Sequence, residues 1–164
     1  MVMNPKSEYL NFLKSNEKFF KDNKKFVVVT FYKFFELDNL LQFQTLLRSI
    51  FLKTNIKGTI LLANEGINGT IAGTKAEIGN ALKSIWDLNN LSDLRPKYSF
   101  ATKNPFFRMK IRLKKEIVTL GVDNISPNKN VGNYVKPEDW NDFISDDSLL
   151  LIDTRNDYEV SIGS

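Results

Sequence analysis

Cysteine and histidine are both missing from the 164 residues of this chain. Without cysteine there is no disulfide framework, thiolate zinc site or thiol nucleophile; without histidine the usual triad base and the commonest metal ligand are gone. Carboxylates, lysines, hydroxyls and backbone amides remain, and these bind and position well but seldom complete an active site unaided. These residues are chemically poor, and no metal site or other cofactor is expected within them. Long apolar runs are lacking too, since nothing approaches the roughly 20 residues of a membrane span. The opening "MVMNPKSEYLNFLK" has neither the continuous apolar core nor the small-residue cleavage site of a signal peptide. A cytoplasmic protein without a membrane partner is the expectation.

Core-forming residues are plentiful: 42% of the chain is hydrophobic, with 13 phenylalanines, which excludes a disordered chain. The net charge of +4 is unevenly spread, with 21 Lys/Arg against 11 Asp/Glu in residues 1–132 and 2 against 8 in residues 133–164. The break coincides with "GVDNISPNKNVGNY", a stretch rich in turn formers. Two bodies follow from this, at 1–122 and 134–164, with a linker over 123–133.

In the first body, Ser7 is expected to cap a helix carrying Leu10, Leu13, Phe19 and Phe20. "FVVVTFY" (26–32) is a β-branched and aromatic strand, and Asp38 is expected to cap a second helix bearing Leu40, Phe43, Leu47 and Ile50. "GTILLA" and "NGTIAG" form two strands joined across "NEGI". Thr74 and Glu77 make a capping box ahead of a helix with Ile78, Leu82, Ile85 and Trp86 on one face. A further strand spans 97–101.

Strand, helix, strand, strand, helix, strand is the split βαβ order, so the first body is predicted to be an α+β, ferredoxin-like domain with an extra N-terminal helix. That fold decides no function. An RNA-recognition motif needs aromatics on both central strands, and "NGTIAG" has none. An acylphosphatase needs an arginine in the loop after its first strand, and "YKFFELDN" has none.

The positive signal is basic. Eight Lys/Arg and no acidic residue lie between 95 and 115. In an extended "RMKIRLK", Arg108, Lys110, Arg112 and Lys114 share one face, and Met109, Ile111 and Leu113 the other. Phe106 and Phe107 precede this ladder, as aromatics do beside charge at single-stranded nucleic-acid sites. Lysines also guard sheet edges, which is the bland alternative. The unbroken run, flanked by Arg95, Lys97 and Lys103, favours RNA.

"ANEGINGTIAG" carries a second candidate surface. Gly66 and Gly69 permit positive φ and the asparagines bond nearby backbone, so a tight connection is the simpler reading. The functional one is a polar surface of Asn64, Glu65, Asn68 and backbone amides for a base or phosphate.

In the second body, Pro137 opens a short helix with Trp140, Phe143 and Ile144 on its apolar face. The run 149–152 is then expected to be a buried parallel strand, and Asp153 and Arg155 beyond it to bond each other or each other's backbone. A parallel strand needs a crossover and partner strands. Few residues follow, so this body is expected to be the start of a longer α/β domain.

"YVKPEDWNDFISDDSLLLIDTRNDYEVSIGS" resembles the opening of a rhodanese domain. Together with "LLANEGINGTIAG" and "PFFRMKIRLKKEIVTLG" ahead of it, the chain resembles the oxygen-dependent, TrhO-type tRNA uridine hydroxylases from about residue 26 to residue 164. The resemblance implies a bacterial enzyme that hydroxylates C5 of the wobble uridine in tRNA anticodons, with molecular oxygen as co-substrate. It implies a ferredoxin-like domain before a rhodanese domain whose cysteine loop is essential, here expected beyond Ser164. Asp153, Arg155, Tyr158 and Glu159 match the family's opening motif in a scaffolding role. The alternatives are a rhodanese-type sulfurtransferase and a noncatalytic RNA-binding or interaction module.

Overall fold

The computed structural model describes residues 4–20, 25–119, 121 and 132–162, in two compact units, Met1–Asn130 and Val131–Ser164. Unit 1 carries α1 (Pro5–Ser15), β1 (Phe26–Phe34), α2 (Leu40–Phe51), β2 (Lys57–Ala63), β3 (Gly66–Gly73), α3 (Lys75–Trp86), β4 (Lys97–Ala101) and β5 (Met109–Leu113). The five strands form one sheet in the order β4-β1-β3-β2-β5. Its first four pair antiparallel in the ferredoxin-like arrangement, and β5 lies parallel to β2 at the far edge.

Alternation along the strands sorts their side chains onto two faces. Val27, Val29 and Phe31 of β1, Ile67 and Ile71 of β3, and Ile60 and Leu62 of β2 point one way and are buried. The helices supply the other half of this core: Leu47 and Phe51 from α2, and Ile78, Leu82, Ile85 and Trp86 from α3. The Thr74–Glu77 capping box forms as expected, with the Glu77 carboxylate accepting from the Thr74 backbone N–H at 3.0 Å and its own N–H donating to the Thr74 hydroxyl at 3.3 Å. That carboxylate also accepts from the Asn55 N–H, which ties α3 to the entry of β2.

Two helix starts differ from expectation. The cap of α1 is Asn4 rather than Ser7: its side chain accepts from the Lys6 N–H at 2.9 Å, and Pro5, which has no N–H to satisfy, fills the first position. The cap position of α2 is Asn39 rather than Asp38, and its side chain makes no capping bond. Phe19 and Phe20 leave α1 for a separate 3-10 turn, Glu17–Phe20. From there both rings meet Phe100 of β4, with centroids at 5.2 and 5.3 Å, while Phe12 of α1 stacks on Phe100 and Tyr98. Tyr9 reaches α3, where its hydroxyl donates to the Lys75 carbonyl at 2.8 Å.

Gly66 and Gly69 have different reasons. Gly66 sits at φ +146, where a Cβ would lie 2.1 Å from the Lys33 carbonyl oxygen, so the strand pairing requires glycine. Gly69 has no positive φ; a Cβ there would crowd Ile60 and the Phe31 ring, so it is a packing glycine instead.

Unit 2 contains α4 (Trp140–Ile144) and α5 (Asp157–Ile162). Pro137 lies in a turn before α4 rather than inside it. The buried strand expected at 149–152 does not form: Leu150 is 84% and Ile152 70% exposed. A parallel strand exists only through hydrogen bonds to neighbours, and no described residue pairs with this segment. Residues 123–131 of the expected linker lie outside the described residues.

Candidate nucleic-acid interface

The five strands of the sheet contain no aspartate or glutamate. Their cations are Lys33, Lys57, Lys97, Lys110 and Arg112. Lys33 is engaged by Asp93, which is held below the usual carboxylate range mainly by that side-chain bond. The other four flank the face away from the core.

At one edge, β5 carries Lys110 and Arg112, with Arg108 and Lys114 flanking it at the next alternate positions. Ile111 is buried against α2, while Lys110 and Arg112 lie opposite Thr59 and Leu61 of β2 on the other face. Arg108 and Lys114 bracket the strand, the former accepting through its carbonyl from Gly58 N–H at 3.2 Å and the latter donating its N–H to the Leu62 carbonyl at 2.8 Å. Gln44 of α2 donates to the outward carbonyl of Ile111 at 2.9 Å, so this edge is already partly capped without help from charge.

Beside that edge runs a groove of about 420 Å³ with Phe51, Leu52, Met109 and Ile111 along its apolar part and Arg48, Arg108, Lys110 and Arg112 around it. Among the described residues none of these four cations forms an ion pair. Arg48 was not a sequence candidate; it lies 60 residues before Arg108 in the chain, and only the docking of α2 on β5 joins them. Phe107, which directly precedes Arg108, is 98% exposed.

The remaining basic candidates are elsewhere. Lys97 opens β4, the opposite edge of the sheet, and Arg95 just before it pairs with Glu8 of α1. Four inter-strand steps of about 4.8 Å put the two edges roughly 19 Å apart. Lys103 is exposed in the crossover from β4 to β5. The basic stretch that is continuous in sequence is thus split between two edges.

Asn64, Glu65 and Asn68 serve the backbone around them. Asn64 donates to the Leu37 carbonyl at 3.1 Å, the Glu65 carboxylate accepts from Ile117 N–H at 2.6 Å, and Asn68 donates to the Ile117 carbonyl at 3.0 Å. Together they hold the loop after β1 and the segment after β5 in place.

In unit 2, Arg155 binds Asp153 through its backbone N–H, Nε and Nη2, the last at 2.7 Å. The guanidinium bond, with the backbone one, takes the Asp153 carboxyl down to about 2. Glu159 accepts from the Asn156 N–H at 3.0 Å and from its side-chain amide, which starts α5. Tyr158 is exposed. These are local bonds that shape a turn.

Among the described residues no cluster of potential ligands that could hold a metal ion occurs, and no helix is long and apolar enough to cross a membrane. The sequence profile of the UPF0176 acylphosphatase-like domain matches residues 26–117, from the start of β1 to the Ile117 segment held by Glu65 and Asn68. The loop from β1 to α2 contains no arginine.

Proposed function

The chain belongs to the UPF0176 acylphosphatase-like family, the N-terminal domain of the TrhO family, and on that premise we propose that residues 26–117 hold tRNA for a hydroxylation of the wobble uridine at C5. In this reading the co-substrate is molecular oxygen, and the tRNA is gripped at its anticodon region. Residues 134–164 are the opening of a rhodanese domain whose cysteine loop, outside these residues, contributes to the chemistry. Asp153, Arg155, Tyr158 and Glu159 shape that opening. This chain's own part is to bind and orient; alone it turns nothing over.

The observation that supports this best is electrostatic. An acid-free sheet bordered by a groove with four cations that form no ion pair among the described residues favours a polyanion, and phosphate neutralisation dominates nucleic-acid affinity. Mass spectrometry of tRNA from cells lacking the gene tests the reading. Loss of 5-hydroxyuridine derivatives at the wobble position is the expected result, and it should not be restored by a copy in which Arg108, Lys110, Arg112 and Lys114 are all reversed to Glu. Loss of thiolated uridine would assign sulfur transfer instead, and an unchanged nucleoside profile would leave a noncatalytic module.

A further inference from the structure

The sheet face opposite the helices is covered by no helix among the described residues; the segment after β5 lies over part of it, where Asn68 donates to the carbonyl of the buried Ile117, and two of its cross-strand rows bear on a ligand. The register aligns Lys97, Thr30, Thr70, Thr59 and Lys110 across all five strands. The next row is Tyr32, Asn68, Leu61 and Arg112. Thr30 and Thr70 join hydroxyls at 3.1 Å. Tyr32 is 54% exposed, and its ring and that of Phe34 meet edge-to-face with centroids 6.3 Å apart.

We infer that the uncovered part of this face is a platform for single-stranded RNA, on which Tyr32 stacks a base while Lys97 on one side and Lys110 and Arg112 on the other hold flanking phosphates. The inference rests on the tRNA reading above and adds where on the domain the unpaired anticodon nucleotides lie. Three features select this occupant over a protein surface. The face is polar at its centre, with threonine hydroxyls rather than a continuous apolar patch. The charged residues that its strands place on it are of one sign and stand at both borders, as a backbone crossing the strands requires. A single outward aromatic on a central strand provides a stacking surface tolerant of base identity. The pattern is not that of an RNA-recognition motif, because β3 presents Asn68 and Thr70 where that motif places aromatics.

The test uses the whole 164-residue chain and an anticodon stem-loop RNA with 5-iodouridine in its loop. Irradiation should crosslink the loop to the β1 peptide at Tyr32. In fluorescence anisotropy, Tyr32→Ala should weaken binding by about tenfold or more while leaving the salt dependence unchanged, because no phosphate contact is removed. Tyr32→Phe should bind as the wild type does. Crosslinks confined to Phe107 and β5, or wild-type affinity in Tyr32→Ala, would overturn the platform yet leave the tRNA reading intact provided reversal of the β5 cations still abolishes binding. Protection of Tyr32 from hydroxyl radicals before RNA is added would show that protein covers the face and would also overturn it. Absence of any RNA binding by the wild-type chain at low salt would remove both readings.

Discussion

Removing the four cations of the β5 edge should change how tRNA binding responds to salt, by an amount that follows from their count. Arg108, Lys110, Arg112 and Lys114 lie on and around one edge strand, and among the described residues none is held by an acid. If each neutralises one phosphate, the slope of log K against log salt is about −0.7 to −0.9 per contact, or roughly −2.8 to −3.6 for the set. Raising salt from about 50 to 200 mM should then weaken binding roughly 50- to 150-fold. Each single alanine replacement should lower the slope by about 0.7 to 0.9, and reversal of all four to Glu should abolish binding. Anisotropy titrations over a salt series read the slope, and thermal melting followed by circular dichroism confirms that each variant folds. Edge protection makes a different forecast, because charge of either sign guards an edge. A folded, fourfold-reversed variant with the wild-type affinity and slope would refute the phosphate role and leave the ladder as an edge guard.

Three further outcomes follow from the geometry. Gly66→Ala should cost about 1–3 kcal/mol or more, because its backbone lies at φ +146 with a carbonyl oxygen 2.1 Å from the new Cβ; denaturant melts showing wild-type stability would contradict this. Burial pushes the Glu77 carboxyl up, but bonds from Asn55 and Thr74 outweigh it and hold it below an ordinary 4.5. A lowered folded pKa adds stability above the unfolded value and loses it as pH falls through the folded one. The melting difference between wild type and Glu77→Gln should therefore be largest near neutral pH and shrink on acidification below 4.5; a constant difference would refute the linkage. Hydrogen exchange should find the amides of 149–152 unprotected relative to those of 27–30, since the former make no strand pairing and the latter are bonded on both sides; equal protection would show that the segment has found partners.

Local chemistry made much of the fold legible from sequence. The β4 span and the Thr74–Glu77 capping box appear where the residues place them, because the alternation of Tyr98 and Phe100 with polar residues and a cap followed by a hydrophobic period depend on near neighbours. The alternation of the β5 cations was legible for the same reason. Missed helix starts, Asn4 for Ser7 and Asn39 for Asp38, come from residues within three positions of each other that are chemically almost equivalent as caps. The run at 149–152 has the composition of a buried strand yet stays exposed among the described residues, because apolar composition states a preference for burial while strand pairing needs a partner.

What only the tertiary structure decided is which distant residues share a surface. Sequence placed Arg95, Lys97 and the β5 cations in one stretch; sheet order sends them to opposite edges. Sequence gave no reason to join Arg48 to that ladder, or to align Lys97, three threonines and Lys110 in one row, yet α2 docking and strand register do both. Composition and period are properties of neighbours along the chain, whereas a binding surface is made by pairings between strands tens of residues apart. The sequence therefore determined the charge and the elements of this domain, and the long-range register of the sheet decided where that charge can meet a ligand.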